Sequence, residues 1–234
     1  MKPFAIEWGA ASVIGVRNPY HDWHSSTPMK TISLSRLLAA TAAWASIEML
    51  SGTAHADDAT AVISRKGAYS ASDGASGTGS STTTLSKGAA KTTGAWTNAA
   101  GGKGTWLNQR NWNRSTQSGT YSGSATRPNG ATSTWQGTTT RTAPGVFSSG
   151  GTITLANGKQ VIVKSTDTRV SPGNWTNQQV ITTPSGQTID RTVDSTVTPG
   201  NVTSTATSTL PNGQTVSSNA SITQTATLAT VPSK

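Results

Sequence analysis

Beyond residue 126, apolar and polar side chains alternate with a period of two. After Gly186, Ile189, Arg191, Val193, Ser195 and Val197 share one parity, and Thr188, Asp190, Thr192, Asp194 and Thr196 the other. After Gly200, Val202, Ser204, Ala206, Ser208 and Leu210 oppose Thr203, Thr205, Thr207 and Thr209. After Gly213, Val216, Ser218, Ala220 and Ile222 oppose Thr215, Ser217, Asn219 and Ser221. Alternation with many β-branched residues predicts half-buried strands. One face is small and apolar, the other an array of hydroxyls.

The strands belong to a repeat. Residues 172–198 laid on 199–225 agree at 11 of 27 positions, including Pro-Gly-Asn and Pro-x-Gly-Gln-Thr. Turn glycines recur at 130, 145, 158, 173, 186, 200 and 213. Asn-Gly after Pro, at 128–130 and 211–213, predicts hairpins in which both central residues take positive φ. The predicted fold is therefore all-β, a repeat-built antiparallel β-meander of about eight strands of ~30 Å each. The alternative is a β-solenoid in which each 27-residue unit is one coil.

Upstream the pattern changes. Residues 57–95 hold only Val62, Ile63 and Leu85 as aliphatics beyond alanine, amid tracts such as 74–84, and read as a disordered Ser/Thr/Gly-rich flexible arm. Residues 96–126 read as Trp- and Arg-containing lead-in strands, and 127–234 as the repeat region. From Met29, Lys30 and Arg36 precede an apolar run, Leu37 to Leu50, and then Ala54-His55-Ala56. A basic start, an apolar middle and small residues before a cut predict a secretory signal peptide over 29–56, cleaved after Ala56. Residues 1–28 are then an upstream extension. The run is too short to span a bilayer as a helix.

Composition narrows the chemistry. Of 234 residues none is cysteine and 32% are apolar, with a net charge of +9. Residues 57–234 contain no Cys, His, Glu or Met and six aspartates. A hydrolytic triad lacks its base, a Ser-Lys dyad lacks Ser-x-x-Lys, and Asp190 and Asp194 stand ~13 Å apart along one strand, too far to share a metal. The chain reads as non-enzymatic, with no cofactor and no metal. Gly101 to Thr105 lacks the spacing of a phosphate loop. The bases are spread without a run, so there is no nucleic-acid motif. Thr203 to Thr209 resembles the ice-binding faces of β-solenoid antifreeze proteins over one strand, but Gln178 and Val180 break the pattern one repeat earlier.

One segment carries candidate ligand chemistry. Read as a strand, Trp106, Asn108, Arg110, Trp112 and Arg114 fall on one face. Indoles stack on sugar rings, and amides and guanidiniums bind hydroxyls and anions. The alternative is that both tryptophans cap one end of the sheet. Trp175, Phe147 and Val202 each follow a turn glycine by two positions, a slot that core packing explains.

Two functions follow as expectations. The first is an exported β-repeat protein with a structural or adhesive role at the bacterial cell surface or in the periplasm, self-associating through its apolar sheet face. The second is a polysaccharide-binding module using the Trp/Arg strip, with polysaccharide or another anionic envelope polymer as partner. An outer-membrane barrel is set aside, because neither strand face carries the apolar band that lipid requires.

Overall fold

The computed structural model describes residues 60–72 and 74–229. The expected signal peptide over 29–56, its expected cleavage site at Ala54 and Ala56, and the expected extension 1–28 lie outside the described residues. Twelve antiparallel strands follow in chain order: β1 (Thr60–Ala71), β2 (Ser76–Ser86), β3 (Ala89–Asn98), β4 (Lys103–Asn113), β5 (Ser118–Thr126), β6 (Thr132–Ala143), β7 (Val146–Thr154), β8 (Gln160–Ser171), β9 (Asn174–Thr182), β10 (Thr188–Thr198), β11 (Asn201–Thr209) and β12 (Thr215–Ala229). Each pairs with its neighbours in sequence, and β12 returns to pair with β1, Thr60 facing Ala229 and Ala71 facing Ser218. The meander closes into a barrel.

The 27-residue repeat is one hairpin: residues 172–198 contain β9, its turn and β10. That corrects the solenoid alternative, because a coil would pair strands in parallel with the next copy, and every pairing here is antiparallel. The disordered arm is corrected too. Residues 57–95 contain β1, β2 and most of β3. Sparse aliphatic content misleads there, because a closed barrel lets strands of threonine and glycine share one interior with richer neighbours. Closure also satisfies every edge, which an open sheet cannot.

Two kinds of turn build the two ends. At one end, turns at 87–88, 114–117, 144–145, 172–173 and 199–200 are mostly two residues long. At the other, Arg127 N donates to Ala131 O and Gly130 N to Arg127 O, and the pattern recurs around Gly158, Gly186 and Gly213. Only the glycine of each such turn has positive φ, 79° at Gly130 and 80° at Gly213. The turn is thus a type I turn closed by a left-handed glycine, not one with two positive-φ residues, because Pro128 and Pro211 hold φ near −65°.

Parity sorts the side chains as the alternation predicts. Val193, Val202 and Ala206 are buried inside, while Thr203, Thr205 and Thr207 are exposed on the outer wall. The core spans the interior: Trp96, Trp106 and Ala125 of β3 to β5 meet Val202, Ala220 and Ile222 of β11 and β12. A second cluster, Ile153, Leu155, Val161, Ile181 and Ile189, fills the end with the longer turns. Inward glycines make room for rings on the next strand. Gly94 faces Trp106 and Gly123 faces Trp135, and a Cβ at either would collide with the indole. The apolar face is enclosed, so self-association through it, expected for an open sheet, has no surface to use.

Candidate functional site

The predicted strip is β4, and the structure splits it. Trp106, Asn108, Arg110 and Trp112 share a parity, as read, but that parity points into the barrel. Trp106 is a core residue beneath Val202 and Ile222, and Asn108 is buried, accepting a hydrogen bond from Trp135 Nε1 at 3.1 Å. Arg110 is half-buried farther along, Trp112 lies near the short-turn end, and Arg114 is exposed in the turn that follows. The strip as an open binding face is therefore corrected: curvature and closure put it indoors.

At the short-turn mouth Trp112 finds partners that sequence reasoning assigned to packing. Its ring lies 5.9 Å from Phe147, edge to face, and Phe147 lies 6.3 Å from Trp175. The three come from β4, β7 and β9. Gly119 stands opposite Trp112 and offers no side chain, so the indole can lean across β5 toward Phe147. The signal was present in the slot two residues after Gly145 and Gly173, which places both rings one step below the rim.

A repeated backbone bond fixes this rim. The last carbonyl of each short turn accepts from an amide on the next hairpin: Gly88 O from Trp112 N at 2.6 Å, Gln117 O from Arg141 N at 2.9 Å, Gly145 O from Arg169 N at 2.8 Å. Gly173 and Gly200 do the same with Val197 and Gln224. Trp112, Arg141 and Arg169 are thus held at their backbones by the neighbouring turn. Arg141 Nη1 also donates to Gln117 Oε1 at 3.2 Å. Lys87, Arg114, Arg141 and Arg169 are exposed around this mouth. None of the described carboxylates lies in its turns.

Below the rings lies a polar layer. Asp167 of β8 faces Phe147 on β7 and Asn177 on β9. Asn177 Nδ2 donates to Asp167 Oδ1 at 2.5 Å, while Asp167 Oδ2 and Asn177 Oδ1 are buried with no hydrogen-bond partner. Burial pushes the Asp167 carboxyl up to about 6, against the opposing pull of the Asn177 bond and of Arg110. Tyr121 is raised as well, chiefly by burial. Arg191, wholly enclosed, is pushed down to about 9 by burial. Arg65 Nη1 donates to Thr83 Oγ1 at 2.8 Å, and Thr83 shares a hydrogen bond with Thr92 at 2.9 Å. Among the described residues no three His, Cys, Asp or Glu side chains group as a metal site. Asp190 and Asp194 are exposed, on the outer wall.

No family model matches the chain, and no curated protein sequence does. Among solved structures it is similar to "KdgM porin", with a TM-score of 0.52 and 6% identity over 70% of this chain and 98% of that one. It is also similar to "KdgM porin in complex with disordered oligogalacturonate", with a TM-score of 0.49, 6% identity, and 70% and 97% covered. The first likeness shows the fold, a porin-type barrel. It overturns the expected structural or adhesive β-repeat protein, which needed an open sheet with an apolar face free to pack on another copy.

Proposed function

We propose that the chain is an exported, non-enzymatic transport barrel that admits an anionic oligosaccharide at its short-turn mouth. The observation that carries this reading is the meeting of Trp112, Phe147 and Trp175 inside a rim of Lys87, Arg114, Arg141 and Arg169. Flat rings stack on the apolar faces of sugar rings, and guanidiniums hold carboxylates by paired, charge-assisted hydrogen bonds. Lysine adds charge without that geometry. The porin fold supports transport over adhesion, and the protein named above in complex with oligogalacturonate is a barrel that meets an anionic sugar polymer.

The outer wall supports work in water. Its strands present threonine, serine, asparagine and glutamine, and among the described residues the large exposed hydrophobics are Ile162, Val170 and Val180. A barrel seated in lipid presents an apolar band ~25 Å tall. The reading therefore places the barrel in the periplasm or outside the cell, handing on its sugar through an aqueous phase.

The test is calorimetric titration of residues 57–234 with a linear oligouronate and with an uncharged oligosaccharide of equal length. Selective binding of the uronate, weakened at least tenfold in Trp112→Ala and in Arg141→Gln with far-UV circular dichroism unchanged, is the expected result. Binding that ignores both substitutions refutes the site. Insertion into lipid vesicles with single-channel conductance refutes the aqueous placement.

A further inference from the structure

Asp167 is the one acid that the described residues place in the interior, and its position there is unusual. It is 4% exposed, directly opposite the mouth ring Phe147 and two residues along β8 from Arg169, the partner of Trp175. Its Oδ1 is engaged by Asn177, yet Oδ2 is buried without a hydrogen-bond partner. A carboxylate left so is stable only if something else satisfies that oxygen, or if the oxygen carries a proton. The charged and titratable groups around it are few. Arg110 on β4 and Tyr121 on β5 interact with it across the interior. Arg169 stands two residues along β8, and Arg191 two strands away on β10. The facing strands β7 and β9 contribute no titratable side chain.

This arrangement couples the acid to the sugar. While Asp167 is ionised it offsets the attraction of Arg110 and repels any anion entering between the rings. Once it is neutral, Arg110 is offset no longer, and the anionic ligand meets a more positive floor. Building on the oligosaccharide reading, we propose that Asp167 sets the charge selectivity of the mouth, taking up a proton as an anionic saccharide binds, so that capture tightens in acidic water. Burial that holds its proton to about 6 puts the exchange in the mildly acidic range. The reciprocal of tighter binding at low pH is proton uptake on binding, by linkage. No bond is made or broken in the sugar.

The experiment is calorimetry on residues 57–234 with a linear oligouronate, near pH 6, in two buffers of different ionisation enthalpy. The slope of observed enthalpy against buffer enthalpy reads the protons taken up. Uptake of a substantial fraction of one proton is expected. Affinity should rise about tenfold from pH 7.5 to 5, the effect of a one-unit rise in the Asp167 titration on binding. Asp167→Asn keeps an oxygen for Asn177 and should bind with the acid-form affinity at every pH, with no proton uptake. An uncharged oligosaccharide should show neither effect. Binding of the uronate with no proton uptake in the unmutated chain overturns the proposal and leaves the transport reading standing. Failure of the uronate to bind at any pH overturns both.

Discussion

Replacing Asp167 by asparagine should stabilise the barrel at neutral pH and flatten its stability against pH. In the barrel the carboxyl keeps its proton to about 6, against an ordinary value of 3.8. Two pH units at 1.36 kcal/mol each amount to roughly 3 kcal/mol. Below the ordinary value both folded and unfolded chains hold the proton, and the group costs nothing. As pH rises, the unfolded chain gives up its proton first, so stability falls until the folded carboxyl also ionises near 6, and it is level beyond. The described residues contain no histidine, and their other carboxylates, Asp190 and Asp194, lie on the outer wall, so little else obscures this window. Urea unfolding followed by tryptophan fluorescence at about pH 4, 5, 6 and 7 reads the effect directly. The unmutated chain should lose ~2 to 3 kcal/mol across the series. Asp167→Asn should lose little of that and exceed the unmutated chain at pH 7. A wild-type stability that is flat or rises from pH 4 to 6 refutes the assignment of a buried, proton-holding carboxyl.

Other substitutions separate the physical terms. Gly94→Ala places a methyl against the Trp106 indole, itself core, and should cost about 3 kcal/mol in urea unfolding. Gly186→Ala meets no neighbour within 4 Å but must hold a φ of 80°, so backbone strain alone should cost ~1 to 2 kcal/mol, read in the same assay. Thr83→Val removes an acceptor from buried Arg65 and a partner from Thr92, and should lower urea stability by roughly 2 to 3 kcal/mol. Trp135→Phe deletes the bond to Asn108 while keeping an aromatic ring opposite Gly123, and should cost about 1 to 2 kcal/mol, measured by thermal unfolding.

Local rules read the strands well and closure poorly. Alternation placed Ile189, Val193, Val202 and Ala206 on one side and the threonines on the other, because parity is a property of the backbone pleat alone. The seven turn glycines were legible for the same local reason, and all have positive φ. What alternation cannot encode is how many strands join one sheet or whether its ends meet. Thr78, Thr82 and Thr84 in β2 therefore looked like a flexible tract, although Ser81 and Thr83 between them are buried. The hydrophobic content expected of an independent strand was supplied by rings from other strands, such as Trp96 and Trp106. At the site, the parity of Trp106 to Trp112 was legible, but its direction was not. Phe147 and Trp175 were visible as a periodic slot, yet their meeting with Trp112 depends on β4, β7 and β9 curving around one mouth.

The same alternation that hid the barrel also sorts the residues of its wall between two surfaces. A porin-type wall has two surfaces, and the pleat commits every residue to one of them. In a barrel that lives in lipid, the apolar parity must face out and the polar parity in. Here the assignment is reversed over most of the wall: Val193, Val202, Ala206 and Ile222 are inside, and Thr192, Thr203, Thr207 and Ser221 are outside. A one-residue slip in register would exchange the two sets, at the cost of burying a row of hydroxyls against one another. The inward glycines oppose that slip, because Gly94, Gly104, Gly123 and Gly137 each face a ring that only an absent side chain accommodates. Pairing of small with large residues across adjacent strands thus locks the register. The register puts the hydroxyls on the outer wall, and at the short-turn mouth the rings of Trp112, Phe147 and Trp175 stand near exposed guanidiniums and the enclosed Asp167.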